Sequence, residues 1–165
     1  MMYRITFEKL PTTLAELQAL PQAKLQKPED TAALTVAALC AYPESPEDCF
    51  EMLNFLRGPR PLSVMEKQFI RDRFLDGKDY IPRSYFAGAT PENDYTPSVP
   101  YAVEFTDSVT PVAEDGYKRF DVRSGGADTA RPITLRHKPS TGEWFLWEQI
   151  LLAGIRAPKS RDAWA

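Results

Sequence analysis

The chain has 165 residues, of which 43% are hydrophobic and 26% charged, with a net charge of −3. That length supports one domain that buries a core without metals or disulfides, and the balance is that of a globular protein, not a disordered one. A mildly acidic total argues against a nucleic-acid footprint, the lack of any apolar run of about 18 residues against a membrane span, and the polar start MMYRITFEKLPTT against a secretory leader, so the expectation is a cytoplasmic protein.

In chain order, Tyr3, Ile5 and Phe7 alternate as in a short edge strand. Thr13 and Glu16 form a capping box ahead of Leu14, Leu17 and Leu20, predicting a short helix that Pro21 stops. From Lys27 to Ala41, Pro28, Glu29 and Asp30 suit a first helical turn. Leu34, Ala37, Ala38 and Ala41 then share a face, which predicts a buried helix. Ser45 caps a third helix, with Pro46 at its first position, Glu47 and Asp48 at the positive dipole end, and Gly58 closing it. Its inward stripe is Cys49, Met52, Leu53 and Leu56. A second box, Ser63 with Glu66, opens a fourth helix whose stripe is Met65, Phe69, Ile70 and Phe74, running to Gly77.

Residues 79–100 change character, with Pro82, Pro91, Pro97 and Pro100 among Tyr80, Tyr85, Phe86 and Tyr95. The aromatics predict that this long loop packs down, either as a cover for the fold or as a substrate or partner loop.

Strand patterns follow. Tyr101, Val103 and Phe105 alternate with Ala102, Glu104 and Thr106; in Tyr117–Arg123, Phe120 and Val122 oppose a charged row of Arg119, Asp121 and Arg123. The pieces KRFDV, ITLRH and EWFLWE, separated by Gly125-Gly126 and by Pro139-Ser140-Thr141-Gly142, read as an antiparallel meander. The second hairpin should set Lys138 opposite Glu143, Arg136 opposite Phe145 and Thr134 opposite Trp147. The fold expectation is one α+β domain over residues 1–165: about four helices within 12–77, the Pro-rich loop at 79–100, and a sheet of about four strands within 101–150.

For chemistry the sequence offers little. Cys40 and Cys49 lack metal-ligand spacing, His137 is the single histidine and lies on the side of Ile133 and Leu135, and the acidic pairs have the spacing of caps and turns. Hence no catalytic set, metal or cofactor is assigned. The charged row Arg119, Asp121 and Arg123, extended by Arg136 and Trp147, reads either as a solvated sheet face or as a site for an anionic ligand. Gly125 to Asp128, with Arg131 close by, reads either as a hairpin turn using positive φ, with Asp128 accepting from the loop backbone, or as a backbone nest for an anion.

Two functions follow. The favoured one is a non-enzymatic binding or accessory protein that uses the sheet face and Pro-rich loop to hold a protein partner or small anionic ligand, or to form a homo-oligomer. The alternative is a small enzyme on an anionic metabolite, with Arg119, Arg123, Arg131 and Arg136 orienting substrate and Asp121 or Asp128 handling a proton.

The stretch YKRFDVRSGGADTARPITLRHKPSTGEWFLWEQILLAGIRAP, with the preceding SYFAGATPENDYTPSVPYAVEF, resembles a family of uncharacterised proteins of anaerobic, gut-type bacteria known as a domain of unknown function. The resemblance is strong over the second half and looser over the helices. It implies a bacterial cytosolic protein and brings no activity, cofactor or catalytic residue.

Overall fold

The computed structural model describes residues 1–164. Four α-helices, α1 (Leu14–Gln18), α2 (Pro28–Leu39), α3 (Pro46–Arg57) and α4 (Val64–Arg73), precede most of an antiparallel sheet. Its strands are β1 (Met2–Phe7), β2 (Tyr101–Asp107), β3 (Tyr117–Val122), β4 (Arg131–Lys138) and β5 (Glu143–Gln149), ordered β1-β2-β3-β4-β5. The sheet therefore has five strands where about four were expected. The fifth is the N-terminal segment, which returns to pair Tyr3 with Phe105 and Ile5 with Val103.

The caps form as the sequence dictates. Ser45 and Ser63 each accept an amide of the first turn, from Asp48 at 3.2 Å and from Glu66 at 3.1 Å, and the Glu66 carboxylate returns to the Ser63 amide. At α1 the reciprocal half differs: Thr13 takes the Glu16 amide, but the Glu16 carboxylate bonds Thr12 instead.

Every residue of α2 from Thr31 to Leu39 is buried, so this helix is apolar all round and lies between the sheet and α3. Its Thr31 hydroxyl donates to the Trp144 carbonyl at 2.6 Å, while the Trp144 amide donates to the Leu25 carbonyl at 2.7 Å. These two bonds cover backbone groups of edge strand β5 that would otherwise be open to another chain. The predicted α3 stripe of Cys49, Met52, Leu53 and Leu56 is fully buried.

In α4 the stripe departs from expectation. Ile70 and Phe74 are buried, whereas Met65 is 83% and Phe69 50% exposed. The inner face of the sheet carries the aromatic trio Tyr3, Phe105 and Phe120, with ring centroids 4.9 to 5.3 Å apart, and continues through Ile133, Leu135 and Leu146.

β2 and β3 pair only from Phe105 to Asp107, and beyond that the Pro-rich segment takes the vacated edge, with the Ala87 amide donating to the Ala102 carbonyl at 2.8 Å. Its Tyr80, Ile81, Tyr85, Phe86 and Tyr95 are buried, so it packs down as its aromatics predicted. It also holds the C-terminal segment: the Tyr85 hydroxyl donates to the Leu151 carbonyl and that of Tyr95 to the Arg156 carbonyl.

Gly125-Gly126 closes against this layer. Neither residue has positive φ, contrary to the turn reading. Instead a Cβ on Gly125 would lie 1.9 Å from the Ala89 carbonyl oxygen and one on Gly126 2.2 Å from the Tyr95 hydroxyl, so the pair exists for close approach. Both amides are engaged internally, Gly125 with the Ser84 carbonyl at 2.8 Å and Gly126 with the Ser124 hydroxyl at 3.1 Å, so neither glycine amide is open to an anion.

Candidate functional site

α3 ends on Gly58, whose φ of +60° and ψ of −119° suit only glycine, and where a Cβ would meet the Phe145 ring at 2.5 Å. The turn after it can therefore lie flat on Phe145. Three contacts fix its course: Arg57 Nε donates to the Arg60 carbonyl at 2.9 Å, an Arg57 guanidinium nitrogen bonds Glu66 at 2.8 Å, and the Leu62 amide donates to Asn54 at 2.8 Å. Burial pulls the Arg57 pKa down, and the facing Glu66 carboxylate opposes that pull. Burial raises the Glu66 pKa, but the Ser63 amide and Arg57 outweigh it and hold the carboxyl below its usual range.

This turn presents Arg60 to the edge of the sheet. Its guanidinium carbon lies 3.9 Å from the centre of the Trp147 ring and the group donates to the Trp147 carbonyl. Trp147 is placed by a bulge: Leu135 faces Leu146 but Thr134 faces Glu148, so Trp147 is the extra residue on β5. The expected pairs Lys138 with Glu143 and Arg136 with Phe145 form, and the expected pair Thr134 with Trp147 does not, because the bulge shifts the register. On the neighbouring strand the Arg136 guanidinium lies 4.7 Å from the Trp147 centroid and 5.4 Å from that of Tyr117, which itself meets Trp147 edge-on at 5.5 Å.

Between turn and strands lies a cleft of about 420 Å³ lined by Arg57, Pro59, Arg60, Arg136, His137, Lys138 and Pro139 above Phe145, Leu146 and Trp147. No carboxylate lines it among the described residues. Arg57 is already paired with Glu66, whereas Arg136 and Lys138 make no ion pair among the described residues. Its chemistry is that of a cationic rim over an aromatic floor.

The other predicted site residues lie apart. Arg119 donates to Thr134 Oγ1 at 3.1 Å and to the Thr110 carbonyl at 2.9 Å, and Asp121 accepts from the Val109 amide at 3.2 Å, so this part of the charged row pins the β2–β3 connection over the outer sheet face. Arg123 is exposed beside Glu104 and Ser124. Asp128 pairs with the Arg156 guanidinium at 2.9 Å and not with its own loop backbone. Arg131 holds the C-terminal segment through the carbonyls of Ala153 at 2.9 Å and Gly154 at 3.0 Å. Arg119 borders Trp147 and Tyr117 across a separate depression of about 260 Å³, and Arg136 and Trp147 meet in the cleft. Arg60, Tyr117 and Lys138 were missed as members of this group; the stiff sequence Gly58-Pro59-Arg60-Pro61 was the available sign that an arginine is held in place.

Among the described residues no group of three His, Cys, Asp or Glu side chains stands ready for a metal, and no helix is long and apolar enough to cross a membrane. Burial pushes the Cys40 thiol up to about 12 and that of Cys49 up as well, so neither is a thiolate at neutral pH. No curated protein and no solved structure matches the chain. Residues 9–159, spanning the helices and β2 to β5 alike, match the family described as Domain of unknown function (DUF6935), and the chain belongs to that family.

Proposed function

We propose that the chain is a non-enzymatic binding protein whose cleft between the α3–α4 turn and strands β4 and β5 holds an anionic group attached to a flat or apolar body. One observation carries this: Arg60 and Arg136 converge on Trp147, and Lys138 lines the same cleft, with no carboxylate in its lining among the described residues. Guanidinium groups already lying on an indole are pre-oriented donors, and the low polarity of the floor strengthens their pull on a negative charge. The lining holds no Ser, Thr, Cys or carboxylate side chain, and its one histidine is stacked on Trp144 at 4.6 Å. The Pro-rich loop serves this reading indirectly, as part of the packed layer that fixes the sheet. An enzymatic reading finds less support, since Arg119 and Asp121 hold the β2–β3 connection while Asp128 and Arg131 hold the C-terminal segment.

Titration calorimetry with phenyl phosphate, and with benzyl alcohol as the neutral comparison, tests the reading. Phenyl phosphate should bind and weaken as salt rises, Arg136→Gln should cost about tenfold in affinity, in line with about 1.5 kcal/mol for a charge-assisted bond, and benzyl alcohol should bind far more weakly. Equal binding of the two compounds would sink it.

A further inference from the structure

The cleft does not end at Trp147. A second depression of about 220 Å³ shares Arg57, Arg60 and Trp147 with it and continues to Leu62, Phe69 and Ile70 on α4. Its wall on α4 is Phe69, 50% exposed, with the Arg73 guanidinium carbon 4.7 Å from its ring centre; Met65, four residues earlier on the same helical face, and Val64 are each 83% exposed outside this lining. Three bulky apolar side chains exposed within one and a half turns of a helix carry an uncompensated hydration cost unless something covers them. Two carboxylates border this depression: Glu66, paired with Arg57 at 2.8 Å, and the exposed Glu148, which makes no ion pair among the described residues and bounds the cationic stretch on that side. The groove is thus graded, apolar at Leu62, Phe69 and Ile70, aromatic and guanidinium-lined at Trp147, and cationic at Arg136 and Lys138.

We propose, resting on the cleft reading above, that the occupant is an acidic peptide segment of a partner protein, carrying one bulky apolar residue a few positions from two or more carboxylates. The apolar residue seats against Phe69, Leu62 and Ile70, and the carboxylates meet Arg60, Arg136 and Lys138 across Trp147. The charge and polarity of the groove select this occupant. A small anion fills only the cationic end and leaves the α4 stripe bare, and a basic or wholly apolar segment leaves Arg136 and Lys138 without partners. Tryptophan, tyrosine and arginine are the residue types that dominate peptide recognition, and Trp147, Tyr117, Arg60 and Arg136 are grouped here within contact of one another.

The test compares phenyl phosphate with synthetic octapeptides by calorimetry on the full chain: one with three glutamates and one leucine, a version with leucine changed to glycine, and one with lysines for glutamates. The acidic leucine peptide should bind at least tenfold more tightly than phenyl phosphate, and its glycine and lysine versions about tenfold more weakly than itself. Phe69→Ala, a surface change read alongside an unchanged melting temperature, should weaken the leucine peptide and leave the glycine peptide unaffected. If phenyl phosphate binds but the leucine peptide gains nothing over it, the peptide proposal is overturned and the anion cleft stands. If neither binds, both are overturned. A dimer in sedimentation that Phe69→Glu dissolves also overturns the proposal, because a second copy then covers α4.

Discussion

Arg57 shows how much one side chain fixes. It is 6% exposed, and its bonds to Glu66 and to the Arg60 carbonyl set the path of the turn that carries Arg60 over Trp147. Glu66→Gln keeps the shape of the cap but leaves a guanidinium inside without its counter-charge, so urea unfolding should show a loss of about 1.5 kcal/mol and phenyl phosphate affinity should fall with it. The Glu66 carboxyl is depressed in the folded state, so its contribution is present above its unfolded pKa and is lost as pH falls through the lowered folded value. Wild type should therefore lose more stability than Glu66→Gln on going from neutral to strongly acidic pH. At Gly125 the constraint is steric: alanine would push a methyl into the Ala89 carbonyl at 1.9 Å, with no backbone escape, and should cost about 3 kcal/mol in the same measurement. The thiols give a third expectation. With Cys40 pushed up to about 12 and Cys49 also raised by burial, an aromatic disulfide reagent at neutral pH should label the native chain slowly and the urea-unfolded chain quickly.

Whole elements were legible where the signal was local. Ser45 with Pro46 and Ser63 with Glu66 start helices because the side-chain acceptors and first-turn amides are three residues apart, a relation that needs no tertiary knowledge. The buried nature of α2 was likewise written in its unbroken run of small and apolar residues. The stripe of α4 misled, since helical spacing says which residues share a side but not whether a neighbour covers that side; Ile70 and Phe74 found one, and Met65 and Phe69 did not. On β5 the alternation was right up to Leu146, and the bulge at Trp147 carries no signature of its own. Gly125-Gly126 was visible as a pair with a purpose, yet its purpose depends on Ala89 and Tyr95, more than 25 residues earlier in the chain.

At the scale of the molecule, the order of β2 to β5 follows the chain, so a meander was predictable from turn signals alone. The cationic cleft was only half visible. Arg136 and Trp147 stood out on adjacent strands, but Arg60 arrives from the end of α3, and only the packed fold brings the two guanidinium groups to one ring. A second long-range junction, also invisible locally, joins three parts of the sheet at Asp107: Lys118 at 2.7 Å, the Tyr3 hydroxyl at 3.1 Å and the chain's amino terminus at 3.5 Å. The Lys118 contact leads in holding the Asp107 carboxyl below its usual range. Its stabilisation is accordingly present above the unfolded pKa and lost as pH falls through the depressed folded value. The site is well solvated, so Asp107→Asn should cost no more than about 1 kcal/mol at neutral pH in urea titration and flatten the acid limb.

β1 pairs with a strand that begins almost a hundred residues later. The helical portion is thus an excursion between two neighbouring strands of a single sheet. On the ribosome, β1 waits for almost a hundred further residues before its partner exists, while the helices lack the surface they cover. Removing residues 1–7 would bare the flank of β2 and uncover Phe105 and Phe120. Light scattering during refolding should then show aggregation of the shortened chain at concentrations where the intact chain refolds as a single species.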